Sequence, residues 1–268
     1  MPGLIFSHAN GFPAGTYRVV FDSLRGRGFE VHAIEKYGHD PQYPVTDNWP
    51  HLVEQLADFV RTRISADDAP PWLVGHSLGG ILSLLCAAQY PELARGVVLL
   101  DSPVFGGWRA YALGQAKRMP RLMQRFSPSR ASRQRRNEWG SRQAVLEHFR
   151  GKQTFAAWDP RVLHDYVNHG MVNADGAWRL AFDREVESRI YETFPHHIES
   201  LLKRQPLSCP LAFIGGLQSA EVRRVGGIES TRRIANGRVM MMDGTHLFPM
   251  EKPQATAAAV EACLRALN

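Results

Sequence analysis

Short apolar runs and longer amphipathic runs alternate along most of the chain. Leu4-Ile5-Phe6-Ser7, closed by His8-Ala9-Asn10-Gly11-Phe12-Pro13, reads as a strand ending in a loop. Thr16 to Gly28 fits a helix, with Thr16 able to cap it, Val19, Val20, Phe21 and Leu24 on one face, and Gly26 and Gly28 to end it. Phe29 to Ile34 alternates as a strand, and Tyr37 to Asn48 is a loop rich in Pro, Asp and Gly. Pro50 opens a second helix carrying Leu52, Val53, Leu56, Phe59, Val60 and Ile64. After Pro70-Pro71 the run Trp72-Leu73-Val74 predicts a buried strand, and Ile81 to Ala88 is long enough for a helix. Gly96 to Asp101, Pro210 to Gly216 and Arg238 to Met242 supply further strands, and Gln254 to Leu267 an Ala-rich closing helix. Such alternation predicts an α/β protein with a mostly parallel sheet of about six strands and helices on both faces.

The pattern changes between Ser102-Pro103 and the strand at Pro210. Residues 105–207 show helical stretches, such as Val145 to Arg150 and Pro160 to Asn168, and no convincing sheet strand. The expected organisation is therefore one core domain, built from 1–104 and 208–268, interrupted by a helical insert at 105–207.

Charge sharpens that division. The net charge of +6 is concentrated in the insert, which holds 18 Lys/Arg against 10 Asp/Glu, while the rest carries 14 against 16. Lys117 to Arg136 has eight basic residues and no acidic one. The simplest reading is a solvated helical face; the sharper one is a surface that attracts anionic substrates or membranes. Nucleic-acid binding ranks lowest, because no recognisable fold or stacking motif accompanies the charge. Trp108, Trp139, Trp158 and Trp178 all fall inside the insert and read first as packing residues. Cys86, Cys209 and Cys263 have no metal or redox spacing and are expected to be reduced, buried thiols. No transmembrane run or signal-peptide pattern is present, so a cytoplasmic location is the default expectation.

The chemistry concentrates in Gly75-His76-Ser77-Leu78-Gly79. A strand leads in and a helix leads out, so Ser77 sits on a sharp turn. Such a turn strains the serine backbone, and a Cβ at position 75 or 79 would collide with a neighbouring strand or helix. The Leu78 N–H, at the helix N-terminus, points to where an oxyanion would form. Among the eleven histidines, only His246 follows a late strand directly in a loop with glycine just before it. Serine needs a base within reach to act as a nucleophile, and His246 is the choice for that base. His76 is expected to turn into packing beside its strand, and His8 to brace the loop after the first one.

Asn10-Gly11-Phe12-Pro13, Gly75-His76-Ser77-Leu78-Gly79 and Gly244-Thr245-His246 with Glu251-Lys252-Pro253 occur in this order. Through these motifs the chain resembles the α/β-hydrolase fold superfamily over nearly its whole length. The resemblance implies a serine hydrolase whose insert is a helical cap roofing the active site, and makes the Phe12 N–H the second oxyanion donor. It also implies a missing hairpin, because the first strand here corresponds to the family's third; the sheet should be smaller and all parallel.

The resemblance places the acid of the triad after the seventh strand, in a Gly-x-x-Asp pattern. Here the stretch is Gly216-Leu217-Gln218-Ser219, with serine in the acid position. Asp101, ending the strand after the nucleophile helix, is the leading substitute, as in some dehalogenases of the fold; its alternative reading is a turn cap. Glu221 is the alternative acid, and Asp243 stands behind both. The expected reaction is cleavage of a carboxylic ester or thioester through an acyl-enzyme, on a small acyl substrate for which the basic insert mildly favours negative charge. Carbon–carbon hydrolysis on the same triad, or a non-catalytic ligand-binding protein on a hydrolase scaffold, are the alternatives. Neither a metal nor an organic cofactor is implied. Substrate identity and oligomeric state are not encoded in any motif.

Overall fold

The computed structural model describes residues 1–63, 69–119 and 128–267. The chain runs β1 (Gly3–Ser7), α1 (Arg18–Arg25), β2 (Glu30–Ala33), α2 (Pro50–Arg61), β3 (Trp72–His76), α3 (Leu78–Gln89) and β4 (Gly96–Leu100). The insert follows with α4 (Gly107–Lys117), α5 (Ser129–Gln134), β5 (Glu138–Trp139), α6 (Arg142–Arg150), α7 (Gln153–Ala156), α8 (Pro160–His169), β6 (Met171–Ala174), β7 (Ala177–Leu180), α9 (Arg184–Glu192) and α10 (Ile198–Arg204). The chain returns through β8 (Leu211–Gly216), α11 (Ala220–Arg224), α12 (Glu229–Ile234), β9 (Val239–Met242), α13 (Phe248–Glu251) and α14 (Pro253–Leu267).

Six strands form one sheet in the order β2-β1-β3-β4-β8-β9, and every pairing is parallel. This is the α/β sheet that the alternation predicts. Both faces are covered because side chains alternate along each strand. Leu4, Phe6, Val74, Val98 and Leu100 join Val20 and Leu24 of α1 and Val260 and Leu264 of α14. Ile5, Leu73, Val97, Leu99 and Phe213 join Leu52, Leu56 and Val60 of α2 and Ile81 and Leu85 of α3. Each fully buried side chain of this size contributes roughly 1.5–3 kcal/mol, so the central strands are the least deformable part of the molecule.

Several expectations are refined. Thr16 does not cap α1: residues Ala14–Tyr17 form a 3-10 turn, α1 starts at Arg18, and the buried Thr16 hydroxyl finds no partner. α2 begins at Pro50 as expected but ends at Arg61, with Thr62 as its C-cap, before Ile64, which lies outside the described residues. The insert is not purely helical. β5, β7 and β6 make a separate antiparallel sheet of three strands, with β6 and β7 joined at Asp175-Gly176, both at positive φ (53° and 78°). Strands of two to four residues are too short for periodicity to reveal, although Asp-Gly is a hairpin signal in its own right.

The basic run is also less free than a solvated face. Residues 120–127 of it lie outside the described residues. Of the rest, Lys117 is buried against Asp47, Arg133 pairs with Glu185 and Glu192, and Arg135 pairs with Glu187. Trp139 and Trp158 are buried as expected, whereas Trp108 is 71% exposed. Cys86 and Cys263 are buried, Cys209 is half-buried, and all three are free thiols. Among the described residues no helix is long and apolar enough to cross a membrane.

Candidate functional site

Ser77 connects β3 directly to α3 and takes φ 54° and ψ −114°, a conformation an L-residue holds only when its surroundings enforce it. The surroundings are backbone. Ser77 N–H donates to Leu100 O at 3.0 Å, and Ser77 O accepts from Gly80 and Ile81. A Cβ on Gly75 would lie 2.2 Å from Gly79 C and O, and one on Gly79 would lie 2.0 Å from Ser7 O. Only glycine fits at either position, because helix α3 is packed flush against β1 and β3. Leu78 is the first residue of α3, and its N–H has no backbone acceptor among the described residues. The Phe12 N–H instead donates to Ala9 O at 3.1 Å, so a bound oxyanion would share it with that turn. The Phe12 ring packs on Trp158 and Tyr166 of the insert, at 5.6 and 5.7 Å between centroids.

His246 follows β9 in a loop held from two sides. Gly244 N–H donates to Gln218 Oε1 at 2.6 Å, and Thr245 N–H donates to Glu251 Oε2 at 3.0 Å. His246 Nδ1 lies 2.7 Å from Asp101 Oδ2, which joins two residues 145 positions apart. Glu221 Oε2 is 3.9 Å from the same nitrogen, beyond hydrogen-bond range. Asp243 bonds Gln218 and Lys252 on the exposed side of the loop. No hydrogen bond joins Ser77 Oγ to the His246 ring among the described residues; the two are connected through His76, whose Nε2 lies 2.8 Å from His246 O.

Asp101 is fully buried at φ 43°, just past the end of β4. Its Oδ1 accepts Gly216 N–H at 2.7 Å, and its Oδ2 accepts the Ser219 hydroxyl at 2.5 Å as well as the imidazole. Burial pushes its carboxyl pKa up, but the bond and charge of His246, with the donors Ser219 and Gly216, outweigh burial and hold it below the ordinary carboxylate range. Ser219, in the position where the resemblance expects the acid, thus supports an acid on the neighbouring strand. It also caps α11 by accepting Val222 N–H at 3.1 Å.

His8, as expected, braces the loop after β1. Its Nε2 accepts Tyr37 N–H at 3.1 Å, which leaves Nδ1–H to donate to Ala9 O at 2.8 Å. Burial lowers its pKa to about 4, so it is neutral at ordinary pH.

A buried charge pair sits over the same loop. Asn10 Nδ2–H donates to Glu187 O at 2.9 Å, and a Cβ on Gly11 would come within 3.1 Å of the Glu187 carboxyl. Glu187 is held by Arg135 and by Ser132 Oγ–H at 2.9 Å; burial pushes its pKa up against the pull of Arg135. Sequence reasoning misses this pair. The partners are 52 residues apart, and neither carries a signal beyond its charge.

Asp101, Glu221 and His246 each offer a donor atom within 4.8 Å of the others, the one such cluster with metal-ligand spacing among the described residues. The short Asp101–His246 bond already accounts for it as an acid–imidazole pair.

A parallel sheet, a strained serine at a strand-to-helix turn and a carboxylate-bound histidine after the last strand define an α/β-hydrolase architecture. The sequence model of the alpha/beta hydrolase family matches residues 4–259, and the chain belongs to that family. A monoglyceride lipase of Mus musculus is 35% identical over 104 residues, which are 37% of this chain and 34% of the lipase, so the chain matches about a third of that relative's length. A serine hydrolase-like protein of Dictyostelium discoideum is 22% identical over 259 residues, covering 90% of this chain and 69% of that protein. Among solved structures, E-2-(acetamidomethylene)succinate hydrolase superposes with a TM-score of 0.74 at 21% identity, over 98% of this chain and 91% of its own.

Proposed function

We propose that the protein is a serine hydrolase that cleaves a carboxylic ester or thioester through an acyl-enzyme. Ser77 Oγ attacks the carbonyl carbon while its proton passes to His246 Nε2. The tetrahedral oxyanion is met by the Leu78 N–H and by the shared Phe12 N–H. Collapse expels the alcohol or thiol, which takes the proton from His246. Water then gives a proton to His246 as it attacks the acyl carbon, and collapse of this second intermediate releases the acid while His246 returns the proton to Ser77 Oγ. Asp101 holds the proton on Nδ1, so that Nε2 faces the reaction, and it stabilises the imidazolium.

The observation that carries this reading is the 2.7 Å Asp101–His246 pair beside a serine held in a strained turn. The relatives named lipase and serine hydrolase-like support the hydrolytic class. A binding protein that has lost turnover would find its best support in Ser219, yet the Ser219 hydroxyl is bonded to the substitute acid. Residues 105–207 act in this reading as a cap, supported by Glu187, Trp158 and Tyr166 lying against the loop of Asn10 and Phe12.

A fluorophosphonate, which traps serines activated by a base, tests the reading by intact mass. One adduct on wild type and none on Ser77→Ala is expected. No adduct on folded wild type would sink the proposal.

A further inference from the structure

Beneath the Ser77 turn runs a line of hydrogen bonds that the reaction does not itself use. His76, the last residue of β3, is fully buried. Its Nε2 lies 2.8 Å from the carbonyl oxygen of His246, and its Nδ1 lies 2.7 Å from Tyr17 Oη. A carbonyl only accepts, so Nε2 carries a proton. A neutral ring then has a bare Nδ1, and the Tyr17 hydroxyl must be its donor. The same hydroxyl oxygen accepts Ala9 N–H at 3.0 Å. Every proton is thereby assigned: Ala9 N–H to Tyr17, Tyr17 O–H to His76, and His76 Nε2–H to the backbone of His246. Burial, reinforced by the nearby His246, lowers the His76 pKa to about 3, which keeps the ring neutral and the line unbroken at working pH.

A buried histidine needs only one donor and one acceptor, and His8 meets that need from Tyr37 N–H and Ala9 O without reaching the His246 loop. The partners of His76 are different in kind. Tyr17, in the 3-10 turn, carries the line to Ala9 on the loop proposed to help hold the oxyanion, and the His246 carbonyl is on the loop carrying the proposed base, while His76 itself is joined to the proposed nucleophile by one peptide bond. The rings of His76 and His246 are 5.0 Å apart, so a shift of either is felt by the other.

We infer that His76 and Tyr17 are positioning residues that hold the His246 backbone in register with Ser77 and with the loop at Ala9. The inference rests on the serine hydrolase reading. Small displacements of a base are costly: about 1 Å is worth on the order of 100-fold in rate.

The test is steady-state hydrolysis of a short-chain p-nitrophenyl ester by the full-length wild type and by Tyr17→Phe, His76→Phe and His76→Gln, with ¹⁵N NMR of the histidine rings. Tyr17→Phe and His76→Phe should lower kcat on the order of 10- to 100-fold with KM changed by less than about twofold. His76→Gln, whose amide can still donate to the His246 carbonyl, should recover part of the loss. The NMR should show His76 as a neutral Nε2–H ring. Unchanged kcat in folded Tyr17→Phe, or a loss that falls in KM instead, would overturn the inference, as would an Nδ1–H ring at His76. Should His76→Phe not fold, Tyr17→Phe decides alone, since it removes one oxygen and keeps the ring. An inactive wild type overturns the hydrolase reading and the positioning role together; the NMR arm then separates a true hydrogen-bond line without catalysis from an absent one.

Discussion

In the sheet, the groups around Ser77 are placed by backbone. Gly75 and Gly79 let α3 lie against β1 and β3, the turn is closed by amide hydrogen bonds, and apolar side chains fill both faces. In the insert, Trp158 and Tyr166 reach the Phe12 loop by aromatic packing, but other groups are placed by charge. Glu187 is aimed at Gly11 by Arg135 and Ser132, α5 and α9 are tied through Arg133, and Lys117 is buried against Asp47. Close packing resists small displacements, whereas a buried ion pair is retained only while both partners are present. The core is therefore the rigid half of the site and the insert the conditional half.

The sharpest break falls on the core. Ser77→Ala and His246→Ala should each lower turnover roughly 10⁴-fold or more while leaving folding intact. Asp101→Asn should follow at on the order of 10³- to 10⁴-fold, and Glu221→Gln should stay within about threefold of wild type, because only Asp101 is within bonding distance of Nδ1. Turnover of a chromogenic ester reads all four, and full activity in Asp101→Asn would return the acid to Glu221. Gly79→Ala tests the packing directly: a Cβ 2.0 Å from Ser7 O forces backbone to move, at about 3 kcal/mol or more in urea unfolding.

Arg135→Met probes the other half. Leaving the Glu187 carboxyl buried with Ser132 alone should cost about 3 kcal/mol, and adding Glu187→Leu should recover most of it. Hydrogen exchange should show the loss as opening of α5 and α9 with β3 still protected; uniform opening would mean the two halves are not separable. The smallest effect is in acid. Neutral His8 and His76 take up protons in the folded state only near pH 4 and pH 3, while the unfolded chain does so near about 6.5. The unfolded state then binds more protons across that interval, so stability falls as pH drops below about 6.5. The Asp101 contribution, with its folded pKa held down, is fully present above the ordinary carboxylate range and is lost as pH falls through its folded value. Unfolding midpoints against pH should show His76→Phe with the shallower slope between about 6.5 and 4.

Much of the core was legible because its signals are local. Alternation gives the strands, Gly75 and Gly79 give the turn, and the position of His246 after the last strand marks it as the candidate base. Asp101 is legible as the leading acid candidate, with Glu221 as the alternative, from its place at the end of a strand. Which of two carboxylates, one 145 residues from His246 and the other close to it in sequence, touches the imidazole depends on strand order, and both Asp101 and Glu221 do come near it. The insert was least legible. Its strands are only two to four residues long, and the salt bridges that join its helices α5 and α9 link residues that composition assigns to solvent. The Phe12 N–H is named from its place in the motif, but its existing partner, Ala9 O, is a property of the folded turn that the motif does not carry.

Asp101 and Ser219 lie just past the ends of the adjacent strands β4 and β8 and share one hydrogen bond, while Asp101 also holds Gly216 N–H and Ser219 caps α11. Viewed as a pair, they are two seats for one negative charge, with a hydroxyl keeping the vacant seat polar. The proposed acid is thus braced from the neighbouring strand end: without the Ser219 hydroxyl, Asp101 Oδ2 would keep the imidazole as its remaining partner among the described residues.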